Sequence, residues 1–285
     1  YSAGKLDCNG SAMITASHNP AGWDGIKITG KGGKPVSYDT GINAIEDMVK
    51  NDEPRLDKDI TPGKMTPIDI KPEYYKHVRN FLGNVQPKKC KVVIDTGNGV
   101  MGPQIEGLLK GLPVEVVELF FKPDGTFPNH EANPLKLENL VDCQNAVKRT
   151  KADFGVCFDG DADRLAFIDD NGDVIPCDQI VALFALEYLK QKPGSHILFD
   201  LRSSIAVGEV IKENGGTWEL CRVGHSHIKK AMRESNAVFA GELSGHYYFS
   251  ENYNCDSGAI ALMFALRMLS STGKKLSELR KGVSR

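Results

Sequence analysis

The chain has 285 residues, room for about two domains at roughly 150 residues each, and its 35 basic and 37 acidic side chains leave a net charge of −2. A composition of 41% hydrophobic and 25% charged residues is that of a globular protein, not a disordered one, and the near-neutral balance argues against a nucleic-acid-binding surface. No apolar run approaches the roughly 18 residues of a membrane span.

In chain order, residues 1–50 predict one strand, Ala12–Thr15, then a polar loop and a hairpin over Ile26–Val36. This stretch is small for a core of its own and reads as the tail of a domain. Asp52–Pro72, with four prolines and many charges, reads as a linker. Beyond it, apolar runs alternate with amphipathic stretches, the pattern of βα units. Lys91–Asp95 is a strand, followed by a glycine-rich turn and a helix through Lys110. Val114–Leu119 is the next strand, Lys122–Pro134 a loop, Leu137–Arg149 a helix. Phe154–Phe158 is a buried strand, and Leu165–Ile168 pairs back onto it. A second boundary is expected near Gly172–Pro176.

Asp178 is suited to cap a helix over Gln179–Gln191 that Pro193-Gly194 stops. Strand His196–Leu201, helix Ile205–Asn214, strand Thr217–Val223 and helix Ile228–Asn236 follow. Strands Ala237–Gly241 and Tyr247–Ser250 and helix Ala259–Ser271 complete the pattern, which shows no internal sequence repeat.

The seven cysteines (8, 90, 143, 157, 177, 221 and 255) include no C-x-x-C pair. They read as reduced thiols of a cytoplasmic protein. Because the chain opens on Tyr1, a signal segment could have been lost, and the sequon Asn9-Gly10-Ser11 reads as chance.

Three constellations carry chemistry. In Thr15-Ala16-Ser17-His18-Asn19-Pro20, an apolar strand delivers a serine onto a turn enforced by Asn-Pro. Such a serine can act as a nucleophile or phosphate carrier; an ordinary polar turn is the plain alternative. Lys27 follows, offering a cation to an anionic group. The second constellation is Asp159-Gly160-Asp161-Ala162-Asp163-Arg164. Carboxylates at i, i+2 and i+4 on a strand exit can converge on one hard cation. An EF-hand would need glycine where Arg164 stands and glutamate where Asp170 stands, so Mg2+ fits better; a solvated acidic turn is the alternative. Asp170-Asn171-Gly172-Asp173 is explained by hairpin-turn chemistry alone.

The third constellation, Gly241-Glu242-Leu243-Ser244-Gly245-His246, suits hydrogen bonding to sugar hydroxyls. It is not a nucleophile elbow, because two residues separate Gly241 from Ser244. Arg202, His225, Glu242 and His246 all fall just past predicted strand ends, where open α/β sheets bind ligands. His227, which begins a helix, reads as a surface residue. Against these stands Gly97-Asn98-Gly99-Val100-Met101-Gly102, a G-x-G-x-x-G turn with Glu118 at the next strand end. It would imply a dinucleotide-dependent oxidoreductase but leaves the three constellations unexplained.

T-A-S-H-N-P, D-G-D-A-D-R and G-E-L-S-G-H, in this order, resemble the α-D-phosphohexomutase superfamily, above all its bacterial phosphomannomutase/phosphoglucomutase branch. The likeness runs along nearly the whole chain and includes Pro128-Asn129-His130 and Val223-Gly224-His225. It implies consecutive mixed α/β domains around a central cleft. Residues 1–55 would be the end of a first domain, 56–72 a linker, 73–173 a second domain and 174–285 a third. The family's N-terminal strands and fourth domain would lie outside Tyr1–Arg285, so the chain is expected to be impaired alone.

The resemblance further implies that Ser17 is the phosphoserine and that, phosphorylated, it shares Mg2+ with Asp159, Asp161 and Asp163. Glu242 and Ser244 would contact sugar hydroxyls, Lys27 and His246 would transfer protons, and His18, Arg164, Arg202 and His225 would line the cleft. The implied reaction interconverts hexose 1- and 6-phosphates of mannose or glucose, with glucose 1,6-bisphosphate as activator or intermediate. A lysine of depressed pKa could serve as its base. No nucleic-acid or membrane partner is expected. A phosphoserine-type sugar phosphatase and a non-catalytic sugar-phosphate-binding remnant are the other readings.

Overall fold

The computed structural model describes residues 1–51, 61 and 63–285. Part of the expected linker, residues 52–60 and 62, lies outside the described residues. The first unit holds helix α1 (Ser2–Lys5), strands β1 (Gly10–Ile14), β2 (Ile26–Gly30) and β3 (Lys34–Pro35), and helix α2 (Ile42–Lys50). β1 and β2 pair antiparallel with Gly10 opposite Gly30 and Ile14 opposite Ile26, and β2 turns back onto β3 as the expected hairpin. The Ser17 turn is thus the connection between two paired strands.

Helix α3 (Lys71–Arg79) opens the second unit, with Pro72 in its first turn. A proline there loses no hydrogen bond, so the last proline of the expected linker starts a helix. There follow β4 (Cys90–Asp95), α4 (Gly102–Leu109), β5 (Val114–Leu119), α5 (Val141–Thr150), β6 (Phe154–Phe158), β7 (Leu165–Ile168) and β8 (Val174–Ile175). The expected helix from Leu137 begins instead as a 3-10 turn, Leu137–Leu140, before α5. The sheet order is β5-β4-β6-β7-β8, its first three strands parallel and the rest antiparallel. The turn after β7 is held by Asp169 Oδ1, which accepts from the Asn171 and Asp173 amides, with Gly172 at φ +80°.

The third unit contains α6 (Cys177–Gln191), β9 (His196–Asp200), α7 (Ala206–Glu213), β10 (Thr217–Cys221) and α8 (His225–Ser235). It ends with β11 (Phe239–Gly241), β12 (Tyr247–Phe249), β13 (Cys255–Asp256), α9 (Gly258–Thr272) and α10 (Leu276–Lys281). Asp178 is not the cap of α6: Pro176 holds that position, and the Asp178 carboxylate accepts from the Ser204 amide at 3.0 Å. The sheet order is β10-β9-β11-β12-β13, again three parallel strands followed by two antiparallel ones. The second and third sheets therefore repeat one topology that the sequence does not betray.

Phe154, Phe158 and Phe167 of the second sheet share one buried cluster with Phe184, Phe199, Phe239 and Phe264 of the third unit. Helices α6 and α9 are buried along most of their length and contact β7. One continuous apolar core thus joins the two units and fixes the loops they carry.

Candidate active site

Each constellation is the tip of a hairpin. Ser17 lies between β1 and β2, Asp159–Arg164 between β6 and β7, and Glu242–His246 between β11 and β12. Ser17 adopts φ +55°, a left-handed conformation that a non-glycine residue holds only when its surroundings fix it. Its amide donates to Thr15 Oγ1 at 2.9 Å, and Thr15 Oγ1 donates to Asp161 Oδ2 at 2.7 Å. Ser17 Oγ lies 3.2 Å from His18 Nδ1. Gly160 makes this approach possible, because a Cβ there would stand 2.5 Å from the Ser17 carbonyl oxygen.

Lys27 reaches from β2 and donates to Asp161 Oδ2 and Asp163 Oδ2, each at 2.7 Å. Burial works against its charge, but Asp163 and Asp161 raise its pKa well above the ordinary lysine value. The expected depressed pKa is therefore not found, because two carboxylates hold the ammonium. Burial, together with Arg164, lowers the pKa of His18.

The aspartate loop is charged and buried. Asp159 is fully buried, and burial together with Asp163 and Asp161 pushes its carboxyl well above the usual range. Burial also opposes the Asp163 charge, yet contacts from His246 and Lys27 hold its carboxyl well below that range. One oxygen of each aspartate is buried: Asp159 Oδ2 and Asp161 Oδ1 have no hydrogen-bond donor, and Asp163 Oδ1 faces His246 Nε2 at 3.2 Å. Ligand atoms of the three lie within 4.8 Å of one another. Orphaned buried acceptors cost on the order of 1–3 kcal/mol each, and a hard divalent cation with oxygen ligands removes that cost. The residues fit Mg2+.

The third loop docks on the second through an antiparallel bridge between Arg164 and His246, with the Leu165 amide donating to the Gly245 carbonyl at 3.0 Å. His246 is buried; its Nδ1 lies 3.0 Å from Glu242 Oε2 and its Nε2 3.2 Å from Asp163 Oδ1. Burial opposes its charge, but these two carboxylates raise its pKa to about 10. Arg164 Nε also faces His246 Nε2 at 3.2 Å. A guanidinium only donates, so a protonated His246 keeps to Asp163, and the Arg164 contact belongs to the unprotonated ring.

Glu242 is buried with both oxygens engaged. Oε1 accepts from the Gly224 amide and the Tyr248 hydroxyl, each at 3.2 Å, and Oε2 accepts from Ser244 Oγ. Arg202 is half-exposed and anchored 2.8 Å from Asp200 Oδ2, with Glu242 3.9 Å away. His225 starts α8 and lines a cavity of about 610 Å³ with Lys27, Asp161, Asp163 and Asp256. The structure thus brings Ser17, His18, Lys27, the three aspartates, Arg164 and His246 into one contiguous network. Glu242, Ser244 and Arg202 flank it on the His246 side.

Sequence reasoning missed Asp200, which also accepts from the Ser203 and Leu243 amides and so ties Arg202 to the third loop. Its signal was available: it ends β9 as Asp95 ends β4. The glycine-rich turn has a protein-internal explanation. A Cβ at Gly99 would stand 2.8 Å from the Gly160 oxygen, and one at Gly102 would stand 1.9 Å from the Phe121 oxygen. These glycines let loops of the second unit touch each other.

Sequence models of the phosphoglucomutase/phosphomannomutase α/β/α domains I, II and III match residues 1–56, 72–172 and 176–285 in that order. The chain belongs to the phosphoglucomutase/phosphomannomutase family. It is 37% identical over 270 residues to a phosphomannomutase of Vibrio cholerae, covering 93% of this chain and 58% of that protein. A phosphoglucomutase of Neisseria meningitidis is 39% identical, with 95% and 58% covered. The crystal structure of a phosphoglucomutase/phosphomannomutase family protein from Burkholderia thailandensis superposes with a TM-score of 0.88 at 33% identity, with 97% and 58% covered. The chain thus spans less than two thirds of the length of these relatives. Family membership and the consumed glycines together set aside the dinucleotide reading.

Proposed function

We propose that the chain supplies the phosphoryl-transfer centre of a phosphohexomutase that interconverts the 1- and 6-phosphates of mannose or glucose. The observation that carries this reading is the Ser17 turn held against an aspartate loop whose buried Asp159 Oδ2 and Asp161 Oδ1 lack hydrogen-bond donors. The phosphomannomutase and phosphoglucomutase names of its relatives support the substrate class.

A phosphoryl group carried on Ser17 Oγ would pass to a free sugar hydroxyl. The P–Oγ bond breaks, the new P–O bond forms, and in net terms the hydroxyl proton ends on Ser17 Oγ. The product is a hexose 1,6-bisphosphate, and return of its other phosphate to Ser17 completes the isomerisation. Asp159, Asp161 and Asp163 would hold Mg2+, which when bound supplies charge against the phosphate oxygens. The carboxylates around Lys27 and His246 raise both pKa values and favour their charged forms, so each would enter as a proton donor and a source of positive charge. Arg164 adds a fixed guanidinium beside Asp159 and His246. Ser244, Glu242, Arg202 and His225 would orient the sugar.

Phosphosite mass spectrometry after incubation with glucose 1,6-bisphosphate and Mg2+ tests the reading, with Ser17→Ala as control. The expected result is phosphate on Ser17 only, dependent on the cation. Inorganic phosphate released without isomerised sugar would favour a phosphatase, and no ester on Ser17 with any hexose bisphosphate would overturn the proposal.

A further inference from the structure

Behind the aspartate loop, in the second unit, lies a polar pair to which the proposed reaction gives no role. Asp95 ends the interior strand β4, is fully buried, and accepts from the Gly97 amide through Oδ1 at 2.8 Å. Its Oδ2 lies 3.1 Å from His130 Nε2, and His130 Nδ1 lies 2.8 Å from the Glu131 carbonyl oxygen. A carbonyl and a carboxylate can only accept, so both ring nitrogens donate and the pair is an imidazolium on a carboxylate. Phe120 closes over the ring edge-to-face at 5.3 Å.

The contacts lead onward to the site. Asn129 Nδ2, beside His130, donates to Asn98 Oδ1 at 2.8 Å, and Asn98 sits at φ +59° next to Gly97 at φ +50°. A Cβ at Gly97 would press on Ala132 and His130 within 3.3 Å. From the same turn, the Val100 amide donates to the Gly160 carbonyl at 3.1 Å. Gly160 lies between Asp159 and Asp161 and is the residue that the Ser17 backbone approaches.

We propose that Asp95, His130 and Asn129 form a positioning clamp: they hold the Gly97–Val100 turn, and through the Val100–Gly160 hydrogen bond this turn sets where Asp159 and Asp161 stand. Groups that orient ligand residues in this way are worth roughly tenfold to a hundredfold in metal affinity. The link to metal affinity rests on the cation reading above; the backbone link does not.

Amide hydrogen exchange on the full chain without metal is the primary test, because local opening is read at a single N–H. With His130→Gln, the Val100 amide should exchange about tenfold faster or more, while amides of β9 such as Leu198 keep their rates. Mn2+ affinity, titrated by electron paramagnetic resonance, should fall roughly tenfold to a hundredfold. Val100 protection within about twofold of the parent chain overturns the clamp. Should His130→Gln fail to fold, Asn129→Ala, at an exposed position, must also loosen Val100, and unchanged protection there overturns the proposal equally. A parent chain that binds no Mn2+ would overturn the cation reading and leave the exchange result to decide the clamp.

Discussion

Arg164 and His246 lie in loops of different sheets, yet their backbones form an antiparallel bridge and their side chains meet at 3.2 Å. The guanidinium of the aspartate loop and the imidazole of the third loop are therefore held together through their backbones. Arg164→Gln keeps the backbone bridge and removes the fixed charge. Phosphate uptake by Ser17 should fall on the order of a hundredfold while the thermal unfolding midpoint changes little, as single-turnover labelling and calorimetry would show.

Burial and two neighbouring carboxylates oppose a charge on Asp159 and push its carboxyl well above the usual range. Asp159→Asn removes that repulsion and still accepts from the Arg164 amide, so the cation-free chain should become more stable. Added Mg2+ should stabilise the parent by about 2.7 kcal/mol at a hundredfold excess over Kd and leave the variant unchanged. Thermal shift with and without Mg2+ reads both effects.

The contact between Gly160 and Ser17 has no slack. Gly160→Ala places a methyl 2.5 Å from a backbone carbonyl, and such overpacking costs about 1–3 kcal/mol. The Ser17 turn should detach from the aspartate loop, with loss of phosphate uptake. Gly125→Ala, with nothing within 4 Å, should lose neither stability nor labelling. Equal behaviour of the two variants would refute the packing argument.

Burial opposes the Glu242 charge, but hydrogen bonds from His246, Ser244 and the Gly224 amide lower its pKa from 4.5 to about 2. The unfolded chain binds the proton first as pH falls, so Glu242 contributes about 3 kcal/mol above pH 4.5. That contribution is lost as pH falls towards 2. Glu242→Gln should flatten the stability profile between these values in urea titrations at stepped pH. An unchanged slope would show that the network does not hold the charge.

Phe184 lies in the core shared by the second and third units. Phe184→Ala should cost about 3–5 kcal/mol and lower the unfolding transition of both units together. Separate transitions for the Pro72–Gly172 and Pro176–Arg285 regions would contradict a continuous core.

Strands such as Phe154–Phe158 and Leu165–Ile168 were legible to the residue because each is an apolar run between turn residues, and Val114–Leu119 because its valines and leucine are β-formers broken only by Glu115 and Glu118. The chemistry-bearing tips were legible because serine, aspartate and histidine there follow apolar strands. What stayed hidden depends on distant partners. Nothing in the sequence reveals that Lys27 meets Asp161 and Asp163, a pairing that reverses its expected pKa. Asp95, His130 and Asp200 are ordinary letters until the fold buries them. The start of α3 was hidden by the proline and charge signals that suggested a linker, and α2, which precedes that stretch, was not expected.

The second and third sheets follow one strand order, and in each the chemical loop occupies the connection between the third and fourth strands along the sheet. Together with the Ser17 turn between β1 and β2, three hairpin tips meet point to point. Length or sequence can change in one tip while the strands beneath it keep their register. If the proposed function holds, a change in sugar preference would call for altered residues in the third tip that leave its His246 contacts with Asp163 and Arg164 in place.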